Sequence, residues 1–88
     1  MIPTAFVLVN TKVGSELDVL RELKKVEGVK EAVALYGTYD IMLRVATKSM
    51  EELRRIITWE IRKMDKTKTT LTMITNEGKA LPNDQIIP

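Results

Sequence analysis

Tyr36, Gly37, Thr38, Tyr39 and Asp40 follow one another between two apolar runs, Val29 to Leu35 and Ile41 to Val45. Two phenol rings, a threonine hydroxyl, a carboxylate and a glycine in one short link are groups that can hold a small molecule reversibly. The acid suits a cation, the hydroxyls donate or accept, and N–H groups around a glycine suit an anion. No other turn of the chain concentrates such groups, so a small-molecule site is sought here first. The same residues also have a plainer reading, since tyrosines beside turns pack and a turn aspartate bonds the backbone of its own turn. Spacing leaves both open.

Covalent and metal chemistry is poorly served by the composition. The 88 residues include no His and no Cys, which removes the usual general base, the thiol nucleophile, the disulfide and the commonest metal ligand. No catalytic residue, metal or cofactor is expected. Fourteen Lys and Arg stand against twelve Asp and Glu, for a net charge of +2. Mixed along both helical stretches, they cannot form a surface that tracks phosphates. Hydrophobic residues at 44% and charged ones at 30% describe an ordinary folded domain, small enough that association with other copies would help it. No run approaches the roughly 20 apolar residues needed to cross a bilayer. Met1-Ile2-Pro3-Thr4 lacks a secretion signal's charged and apolar regions. The expected location is the cytoplasm, with no membrane partner.

The elements that must carry the turn follow from periodicity. Thr4 to Asn10 is apolar at nearly every position and reads as a central strand covered on both faces. Ser15 and Asp18 approximate a capping box and open a helix whose stripe is Val19, Leu20, Leu23 and Val26, with Leu17 at its edge and Gly28 closing it. The two runs around the turn form a hairpin with Gly37 at positive φ. Ser49 and Glu52 form a second capping box, for a helix reaching about Lys63 with Met50, Leu53, Ile57, Ile61 and Met64 buried and Glu51 placed to pair with Arg55. Lys66 to Thr75 alternates threonine with apolar residues and suits a fourth strand. The order strand-helix-strand-strand-helix-strand predicts an α+β fold of the ferredoxin-like βαββαβ type, a four-stranded antiparallel sheet with both helices on one face. The expected domain is 1–76, followed by a tail at 77–88 in which Ile86 and Ile87 could dock on a neighbour.

Such a sheet leaves one face uncovered. Alternation sends Ile41, Leu43 and Val45 to the helices and Met42, Arg44 and Ala46 outward. It predicts Ala32, Ala34 and Tyr36 as the outward set of the second strand and Ile74 outward in the fourth. An apolar face of this kind marks a protein interface, so two sheets are expected to associate face to face. Trp59 falls opposite the buried stripe of its helix, as a further contact site. Glu60 falls inside that stripe and must either snorkel outward, as expected near a helix end, or pair with a cation.

Val26 to Ala32, Tyr36 to Val45, Ser49 to Leu53 and Thr69 to Thr72, in this order, resemble the RAM domain (regulation of amino acid metabolism) of the Lrp/AsnC transcription regulators. The resemblance implies a ferredoxin-like domain that dimerises through its sheets as a dimeric α/β barrel and assembles into rings of dimers, such as an octamer. It also implies binding of free amino acids, or similar small effectors, between dimers. It assigns Gly37, Thr38, Tyr39 and Asp40, with Tyr36 adjoining, to the effector cleft, and brings Thr69, Thr70 and Thr72 toward it from another subunit. Full-length members of the family carry a helix-turn-helix domain, whereas this sequence reaches its first strand almost at once. A stand-alone RAM protein without direct specific DNA binding is therefore expected. An amino acid fits the residues: Asp40 can meet the ammonium, N–H groups around Gly37 the carboxylate, and threonines either.

Three rivals stand beside this reading. A structural partner that co-assembles with full-length Lrp/AsnC regulators and binds nothing itself would use the same contacts. An RNA-binding module would stack bases on sheet aromatics, but Ile41 to Val45 contains none. A small enzyme of the same fold would need carboxylates, Arg or Lys as catalysts, and no phosphate loop or paired acidic motif is present.

Overall fold

A computed structural model of the chain describes residues 2–75. The expected tail at 77–88, with Ile86 and Ile87, lies outside the described residues. Strand β1 (Thr4–Thr11) is followed by helix α1 (Glu16–Lys24), the hairpin β2 (Val29–Ala34) and β3 (Ile41–Ala46), helix α2 (Met50–Arg55) and strand β4 (Thr67–Ile74). The strands lie side by side in the order β2-β3-β1-β4, each antiparallel to its neighbour. This is the βαββαβ ferredoxin-like fold, with β1 inside the sheet as its apolar run requires. No helix among the described residues is long and apolar enough to cross a membrane.

One core lies between the sheet and the helices. Ala5, Val7 and Val9 of β1 and Ile41, Leu43 and Val45 of β3 face Val19 and Leu23 of α1 and Leu53, Ile56 and Ile61 of the second helical segment, all buried. Leu20, Val26 and Met64 pack at the margin, and Met50, expected inside, is 37% exposed. Gly28 joins α1 to β2 in the left-handed region, at φ 97°. A Cβ there would stand 2.8 Å from Ile56 Cδ1. Gly28→Ala should therefore combine backbone strain with overpacking and lower stability by about 1–3 kcal/mol in denaturant unfolding.

The second helix differs from its expected course. After Arg55 it widens into a π-helical turn over Ile56–Ile61, where Arg62 N–H donates to Ile57 O, five residues back. The extra residue in the turn lets Ile56, Ile57 and Ile61 all reach the core. It also rotates Glu60 off the buried stripe, where a regular helix would have left it. Glu60 ends exposed and 3.8 Å from Arg55, which also approaches Glu52 at 4.0 Å, so the expected Glu51–Arg55 pair does not form. Trp59 is exposed as expected, with Lys63 Nζ 5.1 Å from the centre of its ring.

The capping boxes form only in part. Ser49 accepts a hydrogen bond from Glu52 N–H, but Ser15 caps nothing with its side chain. Asp18 is drawn instead to Arg21 and Lys66, each 3.5 Å away.

The uncovered face also needs correction. A register shift between Val29 and Glu31 reverses the expected phase of β2. Ala32 pairs with Leu43 and is buried under the helices, and Ala34 pairs with Ile41 on that same side. Ile74 pairs with buried Ala5 and is likewise on the helix side. The face itself remains apolar, because Val33, Met42, Leu8 and Leu71 form one row across all four strands. Glu31, Arg44, Phe6 and Met73 form the next, with Arg44 Nε 2.7 Å from Glu31 Oε1. Val33, Leu71 and Met73 are 41%, 45% and 46% exposed.

Candidate functional site

The turn after β2 closes when Leu35 N–H donates to Asp40 O at 2.8 Å. Gly37 adopts φ 136° with nothing within 4 Å of where a Cβ would stand, so the position needs glycine for its backbone rather than for room. Asp40 is half-buried and ties the hairpin to β1. Its N–H donates to Val9 O at 3.0 Å. Its Oδ2 accepts from Thr11 N–H at 2.8 Å and Thr11 Oγ1 at 3.3 Å. The pairing of β1 with β3 ends at Val9 and Ile41, so Thr11 N–H lies past the ladder and takes the carboxylate instead. The Asp40 side chain thus serves a neighbouring strand, while its carbonyl closes the turn. Among the described residues, Oδ1 makes no hydrogen bond.

Beside this carboxylate opens a concavity of about 580 Å³, lined by Glu16, Ala34, Leu35, Tyr36, Gly37 and Asp40. It lies on the helix side of the hairpin, between the first turn of α1 and the β2–β3 link. Tyr36 is wholly exposed, so one face of its ring is free for a ligand. Tyr36, Gly37 and Asp40 are brought together here. Thr38, exposed, and Tyr39, half-buried, belong to the turn but do not line the hollow. The three β4 threonines do not share one face. Thr69 lies on the uncovered face, where its Oγ1 accepts from Asn10 Nδ2 at 3.2 Å. Thr70 and Thr72, opposite Val9 and Val7, lie half-buried on the helix side. Within one chain they are separated from the turn by β3 and β1.

Glu16, Ala34 and Leu35 were not among the expected residues. Glu16 was legible in principle: in a βαββαβ sheet the exit of β1 and the β2–β3 link fall at the same end, so the first turn of α1 must stand over the hairpin. Ala34 was obscured by the reversed phase of β2.

Sheet, helices and turn-end hollow define a small α+β domain of the ferredoxin-like class. The sequence model of the Lrp/AsnC ligand binding domain matches residues 4–78, and the chain belongs to that family. The chain is 41% identical to FFRP-DM1, whose crystal structure superimposes with a TM-score of 0.81 over 86% of this chain and 100% of that one. It is 38% identical to the hypothetical protein PHS023 of Pyrococcus horikoshii, with a TM-score of 0.79 over 97% of this chain and 96% of that one. An uncharacterised HTH-type transcriptional regulator of Pyrococcus furiosus is 32% identical over 74 residues, 81% of this chain and 49% of the regulator. The chain spans about half or less of the curated regulators it matches.

Proposed function

We propose that this chain is an amino-acid-binding regulatory module, which senses a small effector in a cleft between dimers and modulates transcription or amino-acid metabolism through its own assembly or that of partner regulators. The observation that carries the reading is Asp40: one oxygen is fixed by Thr11, which orients the carboxylate, and the other is left without a hydrogen bond among the described residues at the edge of a hollow. An oriented acid is suited to an α-ammonium, and N–H groups near Gly37 to the α-carboxylate. Charge-assisted bonds of this type contribute roughly 1.5–3 kcal/mol each, enough for micromolar to millimolar binding after association costs. The site in one chain is open, and the apolar row Val33-Met42-Leu8-Leu71 supports pairing of two sheets, with further dimers closing the cleft and supplying β4 threonines. A ligand held between dimers favours the larger assembly by mass action.

The second reading, a scaffold that co-assembles with full-length Lrp/AsnC regulators and holds no ligand, is favoured by the bond from Asp40 to Thr11, which gives the acid a structural role on its own. The two separate in a thermal-shift panel of the common amino acids with molar mass followed by light scattering. At ten times its Kd, the right effector should add about 1.4 kcal/mol and raise the unfolding midpoint by roughly 5–10 °C. If no amino acid has an effect across millimolar concentrations, the scaffold reading stands.

A further inference from the structure

The described carboxylates are mostly exposed, and several are matched by a cation: Asp18 with Arg21 and Lys66, Glu22 with Lys25, Glu31 with Arg44, and Glu52 and Glu60 with Arg55. Three acidic residues are half-buried among the described residues: Glu16, Asp40 and Glu52. Glu52 has its arginine. Glu16 and Asp40 have no Lys or Arg within ion-pair distance among the described residues, and they are the two that line the turn-end hollow. The remainder of that lining is Ala34, Leu35, Tyr36 and Gly37, which contributes no positive charge. Glu16 Oε1 has only a long contact from Gly14 N–H, at 3.4 Å. Among the described residues neither acid has a lysine or arginine to answer its charge, so the hollow suits an occupant that brings positive charge. The exposed ring of Tyr36 adds a surface that attracts a cation.

A neutral amino acid satisfies one of these acids with its ammonium and leaves the other unmatched. We propose that the effector is a cationic amino acid of the lysine, ornithine or arginine type, with its α-ammonium on Asp40, its aliphatic stem along Ala34 and Leu35, and its side-chain cation between Glu16 and the ring of Tyr36. This inference rests on the amino-acid-binding reading above and narrows it to one ligand class. It also assigns Glu16 as the residue that sets specificity, separate from Asp40, which meets a group all amino acids share.

The test is isothermal titration of the full chain with L-lysine and L-ornithine against L-norleucine, which has the stem without the terminal amine, and L-citrulline, which is an uncharged counterpart of arginine. L-Lysine should bind at least about tenfold more tightly than L-norleucine. In Glu16→Gln that ratio should fall to near one. Because the ratio in the parent chain needs no variant, a folding defect in Glu16→Gln would not hide the outcome. Equal binding of L-lysine and L-norleucine by the parent would overturn the cationic class and leave the amino-acid receptor standing. Absence of binding by every amino acid would overturn both. Binding of 1,5-diaminopentane as tightly as L-lysine would overturn the placement of an amino acid, since the α-carboxylate would then contribute nothing. If the ratio in the parent is near one and Glu16→Gln instead changes the molar mass, a neighbouring subunit supplies the cation and the inference fails.

Discussion

Leu8→Asp should leave a folded chain that no longer pairs. Leu8 lies mid-row on the uncovered face, between Met42 and Leu71, on a strand whose other face carries the core residues Val7 and Val9. Far-ultraviolet circular dichroism should therefore retain its native form, at a cost of about 1 kcal/mol for aspartate in a strand. A carboxylate held between two apolar sheets has neither water nor a partner, and its desolvation should raise the dimer dissociation constant by at least about 100-fold, near 3 kcal/mol. Light scattering across a range of concentrations reads this directly. A parent that is already monomeric at the highest concentration, or a variant with the mass of the parent, would remove face-to-face pairing and with it any cleft between dimers.

Asp40→Asn separates the two duties of that side chain. The amide oxygen can still accept from Thr11 N–H, so the hairpin should stay fastened to β1 and the unfolding midpoint should move little. The negative charge opposite a ligand's ammonium is lost, and binding of the best amino acid should weaken roughly 10- to 100-fold, or 1.5–3 kcal/mol. Asp40→Ala removes both functions and should in addition cost about 1–2 kcal/mol of stability, because buried Thr11 loses the acceptor for its N–H and Oγ1. Titration and denaturant unfolding of both variants separate these effects. Unchanged ligand affinity in Asp40→Asn would show that the carboxylate is only a strut.

Much of this was readable without coordinates. The alternation of β3 placed Ile41, Leu43 and Val45 inward, and the stripe of α1 placed Val19 and Leu23 there, because a period of two or of 3.6 residues records which side meets the helices or the sheet. The misjudged elements are those where one residue is inserted into a repeat. The irregularity between Val29 and Glu31 flips Ala32 and Ala34 to the helix side, since a one-residue slip in a strand exchanges its two faces. The π-helical turn at Ile56–Ile61 is a second insertion, which breaks the expected regular helix, although Glu60 ends exposed as expected. Neither has a signature in residue type. Ser15 failed as a cap because its backbone lies at φ −103°, ψ 3°, away from the extended conformation that Ser49 adopts at the start of α2.

By itself the sequence determined the order of elements, the identity of the central strand and the lack of histidine and cysteine side chains, because each depends on residue type and local period. The tertiary structure alone decided that Asp40 braces Thr11 and that Glu16 shares a hollow with it. It also decided that Leu8, Met42, Val33 and Leu71 align as one row, and that the β4 threonines divide between two faces. These are relations between residues far apart in the chain, set by strand register and by where the ladders end, and no local pattern encodes them.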